Sequence, residues 1–148
     1  MTDLQSAIGL VELERYENDT LIKRKNIFDQ YTNGFRDCKW AQLPVYETKE
    51  KISSYHLYPL RIKGISDEQR NAIITEIFEQ GVAVNVHFIP LPLLSVYKKM
   101  GFNIEKYPNA NDNFIREISL PVYYNLTNEQ VATVILAVKN AVKKTVRV

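Results

Sequence analysis

The stretch Gly81–Phe102, GVAVNVHFIPLPLLSVYKKMGF, decides how this chain is read. It carries one of only two histidines and turns at Pro90 and Pro92. From Val82 to Phe88 the side chains alternate: Val82, Val84, Val86 and Phe88 point one way, Ala83, Asn85 and His87 the other. This predicts a strand with an apolar floor and a polar face that ends where the chain breaks. Polar groups at a strand end, just before an irregular loop, suit a binding site on a rigid scaffold. The same pattern fits an ordinary edge strand with a satisfied histidine, the reading that alternation alone favours.

Upstream, Ser66-x-x-Gln69 has the form of a capping box, in which two side chains satisfy the free amides of a helix start. It predicts a helix with an apolar stripe of Ile73, Ile74, Ile77 and Phe78, closed by Gly81. Ser54 to Lys63 reads as a strand, with His56, Tyr58, Leu60 and Ile62 on one face and Tyr55, Leu57 and Arg61 on the other. Proline cannot donate to a ladder, so Pro59 predicts a bulge or an unpaired edge, and Pro44 makes Trp40–Tyr46 an edge strand. Residues 1–37 read as a long helical arm. Thr2-x-x-Gln5 caps it, Leu4, Ala7, Ile8 and Val11 form its first stripe, and Leu21, Phe28, Tyr31 and Phe35 its second. The apolar phase shifts at Asn18-Asp19-Thr20, which predicts one bent helix or two meeting there, and Asn33-Gly34 predicts a frayed end. Gly9 costs roughly 1 kcal/mol inside a helix, tolerable where another backbone packs closely, which predicts an interface.

Downstream, Leu93–Met100 and Pro108–Arg116 read as short helices, and Ile118–Pro121 as an extended segment. Thr127-x-x-Gln130 caps a last helix carrying Val131, Val134, Ile135, Val138 and Val142. The sum is one α+β domain over residues 1–148: a small antiparallel or mixed sheet covered by helices on one face, with a long N-terminal helical arm.

Composition removes several function classes. Lys+Arg 19 against Asp+Glu 17 leaves a net charge of +2 with no basic stripe, which gives nucleic-acid binding no electrostatic support. Cys38 is the single cysteine, so no internal disulfide forms and no metal-ligand spacing exists. No apolar run approaches membrane-spanning length and Met1-Thr2-Asp3 opens no signal peptide, so the expected location is cytoplasmic. The glycines are scattered singly, without a phosphate-cradling loop, and there is no nucleophile elbow.

Three segments carry more when read together: MTDLQSAIGLVELER, then VNVHFIPLPLLSVYKKMGF, then YPNA with ISLPVYYNLTNEQV. In this order and spacing they resemble the C-terminal part of the pyridoxal-phosphate-dependent DegT/DnrJ sugar aminotransferases. The resemblance implies amino transfer from glutamate to a keto-sugar nucleotide, a homodimer with composite active sites, and amino-sugar biosynthesis for a surface polysaccharide or glycan. It implies that His87 and Phe88 reach the nucleotide sugar, with Asn85 on the same polar face and Arg61 able to meet a phosphate or carboxylate through its planar fork. Arg61 equally suits a salt bridge to a helix. Phe88 stands where the family commonly has tyrosine, and Pro92 where many members have a second histidine, which bears on substrate choice.

The family's large domain supplies the Schiff-base lysine and most of the cofactor cradle, and no lysine here sits in a matching context. The resemblance therefore implies a small C-terminal aminotransferase domain that binds no pyridoxal phosphate by itself and is catalytically incompetent alone. Residues 1–37 would pack on the large domain or a dimer partner, so Leu4, Ile8 and Val11 are expected to stand exposed. A non-catalytic interaction or ligand-binding module with the same fold is the alternative.

Overall fold

The computed structural model describes residues 1–146. The N-terminal arm is one continuous helical run: α1 (Asp3–Arg15), a π turn (Tyr16–Thr20), and α2 (Leu21–Phe35). Thr2 accepts from the Gln5 amide while Gln5 returns a bond to the Thr2 amide, the reciprocal cap expected from the sequence. The π turn falls where the apolar phase shifts. One extra residue per turn rotates the following stripe, so Ile27, Phe28, Tyr31 and Phe35 are buried while α1 buries nothing. Tyr124 fastens this turn: its phenol donates to Asp19 Oδ2 at 2.7 Å, with Arg15 and Lys23 4.3 and 3.6 Å from the ring centroid. Phenol and cations together hold the Asp19 carboxyl below its ordinary range.

The sheet has three antiparallel strands, β1 (Ala41–Gln42), β2 (Tyr58–Ile62) and β3 (Glu117–Leu120), in that spatial order. Between β2 and β3 run α3 (Asp67–Glu79), α4 (Ser95–Lys99) and α5 (Pro108–Arg116), and α6 (Asn128–Thr145) closes the chain. The capping boxes at Ser66 and Thr127 form as expected. Period-two alternation sends Tyr58, Leu60, Ile62, Ile118 and Leu120 into the core, where they meet Ile27, Phe28, Tyr31 and Phe35 of α2, Ile73 and Ile77 of α3, and the valines of α6. Burial pushes the Tyr58 phenol up to about 12, and its hydroxyl lies 3.0 Å from Thr32 Oγ1. Arg61, Glu117 and Ser119 take the opposite face by the same alternation.

Three sequence expectations, at Tyr55, His56 and Gly34, are corrected. Pro59 brings no bulge but the expected unpaired edge: it faces Ser119, whose own amide turns outward to Asn85, so the missing N–H points beyond the end of short β1. Tyr55 is buried rather than on the outer face, because its left-handed φ of 51° breaks the alternation ahead of β2 and turns the ring onto Phe28. His56, expected beside Tyr58 in the sheet, precedes the strand and is exposed. A Cβ built on Gly9 would meet nothing within 4 Å, so the face expected to lie in an interface is open among the described residues. Gly34 does not fray: it lies within α2, and a Cβ there would fall 2.6 Å from Ile135 Cδ1 and 3.0 Å from Cγ1 and Cγ2.

The close approach of α2 and α6 at that point has a measurable cost. Gly34→Val is expected to lower stability by roughly 1–3 kcal/mol through overpacking, and by clearly less in an Ile135→Ala background. Equal losses in both backgrounds, measured by chemical denaturation, would contradict the contact.

Candidate functional site

Val82 to Phe88 does not form the expected strand. Val82 is buried and Asn85 makes a single bridge to β3, its N–H donating to Ser119 O at 3.3 Å and the Ser119 N–H donating back at 2.7 Å. The ladder goes no further. The His87 N–H instead donates to Glu117 Oε2 at 3.0 Å, and the Ser119 hydroxyl donates to Glu117 Oε1. The alternation survives in part, since Ala83 and Asn85 are exposed, yet Phe88 leaves the apolar floor and is 74% exposed. A short apolar–polar alternation fixes which way side chains face, not whether neighbouring amides find a ladder partner.

His87 stands where two clefts meet. One, of about 410 Å³, is lined by His56, Ala83, Asn85, His87, Ser119 and Tyr123. The other, of about 380 Å³, is lined by Arg61, His87, Phe88, Asn113, Phe114 and Glu117 among others. The four expected residues are thus divided: Asn85 in the first, Arg61 and Phe88 in the second, His87 in both. The Phe88 ring meets the imidazole edge to face at 4.7 Å, and the Asn85 amide oxygen is engaged by the Val86 N–H at 2.8 Å.

Two buried nitrogens here lack a hydrogen-bond partner among the described residues, His87 Nδ1 and Arg61 Nε. An unmet buried polar atom costs about 1–3 kcal/mol, which a ligand atom in the cleft could recover. Arg61 makes no salt bridge to a helix among the described residues. Its Nη1 donates to Asn113 Oδ1 on α5, and Asn113 is itself oriented by a 2.8 Å bond from Nδ2 to Asn109 O.

Glu117 was not foreseen. Its carboxyl is buried beneath the His87 segment, and burial raises it above the ordinary glutamate range despite the opposing bonds from Ser119 and the His87 N–H. Arg70, also buried, sits behind it on α3, donating from Nη1 to Phe114 O at 3.4 Å with its guanidinium 5.1 Å from the Phe114 ring centroid. Extending the Ile118–Pro121 reading back by one residue would have placed Glu117 beside Ser119 on the polar face. The described residues hold no cluster of metal-ligating side chains and no helix long and apolar enough to cross a membrane.

The fold belongs to a defined class: the chain is a member of the DegT/DnrJ/EryC1/StrS aminotransferase family, whose model matches residues 1–139. The Streptococcus pneumoniae protein Spr1654, described as a sugar aminotransferase and solved in its PMP form, is 41% identical and superposes with a TM-score of 0.94 over 99% of this chain and 36% of its own. The Bacillus subtilis spore coat polysaccharide biosynthesis protein SpsC is 31% identical over 97% of this chain and 37% of its own length. The Helicobacter pylori UDP-4-amino-4,6-dideoxy-N-acetyl-beta-L-altrosamine transaminase is 28% identical over 90% of this chain and 35% of its own. The chain therefore spans a little over a third of the length of these relatives.

The buried Glu117 has a pH signature. The folded state holds its proton more tightly than the unfolded state, so its favourable contribution is present below the unfolded value of about 4.3 and is lost as pH rises through the raised folded value. Denaturation of the wild type and Glu117→Gln between ~pH 4 and ~pH 7.5 is expected to show the wild type losing ground to the variant as pH rises. A difference that is flat, or grows with pH, would contradict the burial argument.

Proposed function

We propose that these residues form the C-terminal small lobe of a pyridoxal-phosphate-dependent nucleotide-sugar aminotransferase, and that His87, Phe88, Arg61 and Asn85 contact the nucleotide sugar. The intact enzyme would move an amino group from glutamate to a keto-sugar nucleotide, in amino-sugar synthesis for a surface polysaccharide or glycan. The observation that carries the reading is the position of His87. The motif that resembles the family puts an imidazole with a buried, unpartnered Nδ1 at the meeting point of two clefts. The names of the relatives support the substrate class, one naming a UDP-linked amino sugar and another a polysaccharide pathway. The absence of lysine from both clefts supports a division of labour in which this lobe contacts substrate and the covalent anchor lies elsewhere, leaving the lobe inactive alone.

The apolar arm supports the remaining part of the proposal, that residues 1–37 pack on a large domain or on the partner of a homodimer. Leu4, Ile8 and Val11 are 72, 59 and 59% exposed and fall on one side of α1 at helical spacing. Left in water, such a stripe attracts a partner.

Titration of the chain with UDP-N-acetylglucosamine, followed by amide shifts, is expected to move His87, Phe88 and Arg61, with affinity falling roughly tenfold in His87→Ala. Saturation that moves no residue of either cleft would overturn the substrate assignment. In light scattering, the chain is expected to self-associate and Leu4→Gln/Ile8→Gln/Val11→Gln to shift it toward monomer. A wild type that is monomeric at every concentration would contradict the role given to the arm.

A further inference from the structure

Glu117 does something a core carboxylate has no need to do: it takes the place of a strand rung. From the Asn85–Ser119 bridge, two residues along each segment, the antiparallel register would set His87 opposite Glu117, with its N–H on a main-chain carbonyl. That N–H goes to the Glu117 side chain instead, at 3.0 Å. A side chain rises from the sheet face, so the acceptor stands above the sheet plane, and the segment that bonds to it leaves the ladder at that residue. His87 and Phe88 are thereby lifted off the sheet at the junction of the two clefts. Both carboxyl oxygens are committed, Oε2 to the His87 N–H and Oε1 to the Ser119 hydroxyl, so the group cannot swing away without losing two bonds. It is only 5% exposed, and a charge-assisted bond is stronger where water is excluded.

We propose that Glu117 is the positioning residue of this site, its side chain replacing a sheet carbonyl so that the main chain of His87 departs from the sheet and its imidazole faces both clefts. Among the described residues the titratable groups around it are Arg70 behind it on α3, Arg61 beside it on β2 and His87 above it. None of these donates a side-chain hydrogen to the carboxyl, which leaves the main-chain N–H of His87 and the hydroxyl of Ser119 as its donors. The importance of where His87 points rests on the nucleotide-sugar reading above, but the bond that positions it can be tested without any ligand.

The amide of His87 reports that bond directly. In nuclear magnetic resonance of the wild-type chain its proton shift should follow the titration of the buried carboxyl. In Glu117→Gln that step should vanish. Gln keeps a carbonyl acceptor, so exchange protection of the His87 amide should stay within about twofold of wild type, whereas Glu117→Leu should lose roughly tenfold or more. Core amides such as Leu60 and Ile118 serve as the control and should keep their protection in Glu117→Gln. A His87 shift with the same titration steps in wild type and Glu117→Gln would overturn the proposal, even if Glu117→Leu does not fold. So would equal His87 protection in all three proteins. Should the amide respond as described and UDP-N-acetylglucosamine still not bind near it, the positioning role stands and the substrate reading alone falls.

Discussion

The pairing of β2 with β3 is the constraint from which the rest of the molecule follows. Its register sets Leu60 against Ile118 and Tyr58 against Leu120 on one face, and Arg61 against Glu117 on the other. A slip of one residue would invert both faces, placing a carboxylate and a guanidinium in the aromatic core. The buried face is therefore what secures the polar one. Phe28 lies edge-on to Tyr46, Tyr55 and Tyr58 with centroids 5.0–5.5 Å apart, and this packing ties the arm to the strand that carries Arg61.

From that frame the candidate site is assembled by departures from regularity. Pro59 occupies a middle strand only because β1 is too short to need its amide. The segment after α3 bridges to the sheet once and then leaves it at His87, where a side-chain carboxylate accepts in place of a carbonyl. Each departure turns main chain or side chain toward the clefts on the polar face. The arm departs in a different way, through a π turn fastened by Tyr124 to Asp19, and it leaves its first stripe without cover in this chain. The described residues thus combine a finished core, a half-open polar face and an unburied apolar stripe on the arm.

Much of this was legible in the sequence, for identifiable reasons. The three capping boxes fixed helix starts because each is a local, reciprocal pair of bonds that needs no distant partner. The alternation in Tyr58–Ile62 was legible because one face had a core to fill. The end of the ladder at His87 was not, since it turns on a carboxylate thirty residues away. Asn33-Gly34 marked the end of α2 to within a residue, but only the arrival of Ile135 on α6 gives a glycine there a packing role in place of a frayed end. Of the candidate residues, His87, Asn85, Phe88 and Arg61 all line the clefts, while Glu117 and Asn113 needed the tertiary structure to be noticed.

A crystal structure of the chain soaked with UDP-N-acetylglucosamine tests the central claim, that the polar face of this sheet is a substrate-contacting surface whose floor is Glu117 and whose rim is His87. The account predicts the nucleotide sugar lying over that face, with an acceptor atom within hydrogen-bond distance of His87 Nδ1 or Arg61 Nε. Density confined to the arm or the Tyr124 loop, or a polar face closed over by the chain's own residues, would contradict it.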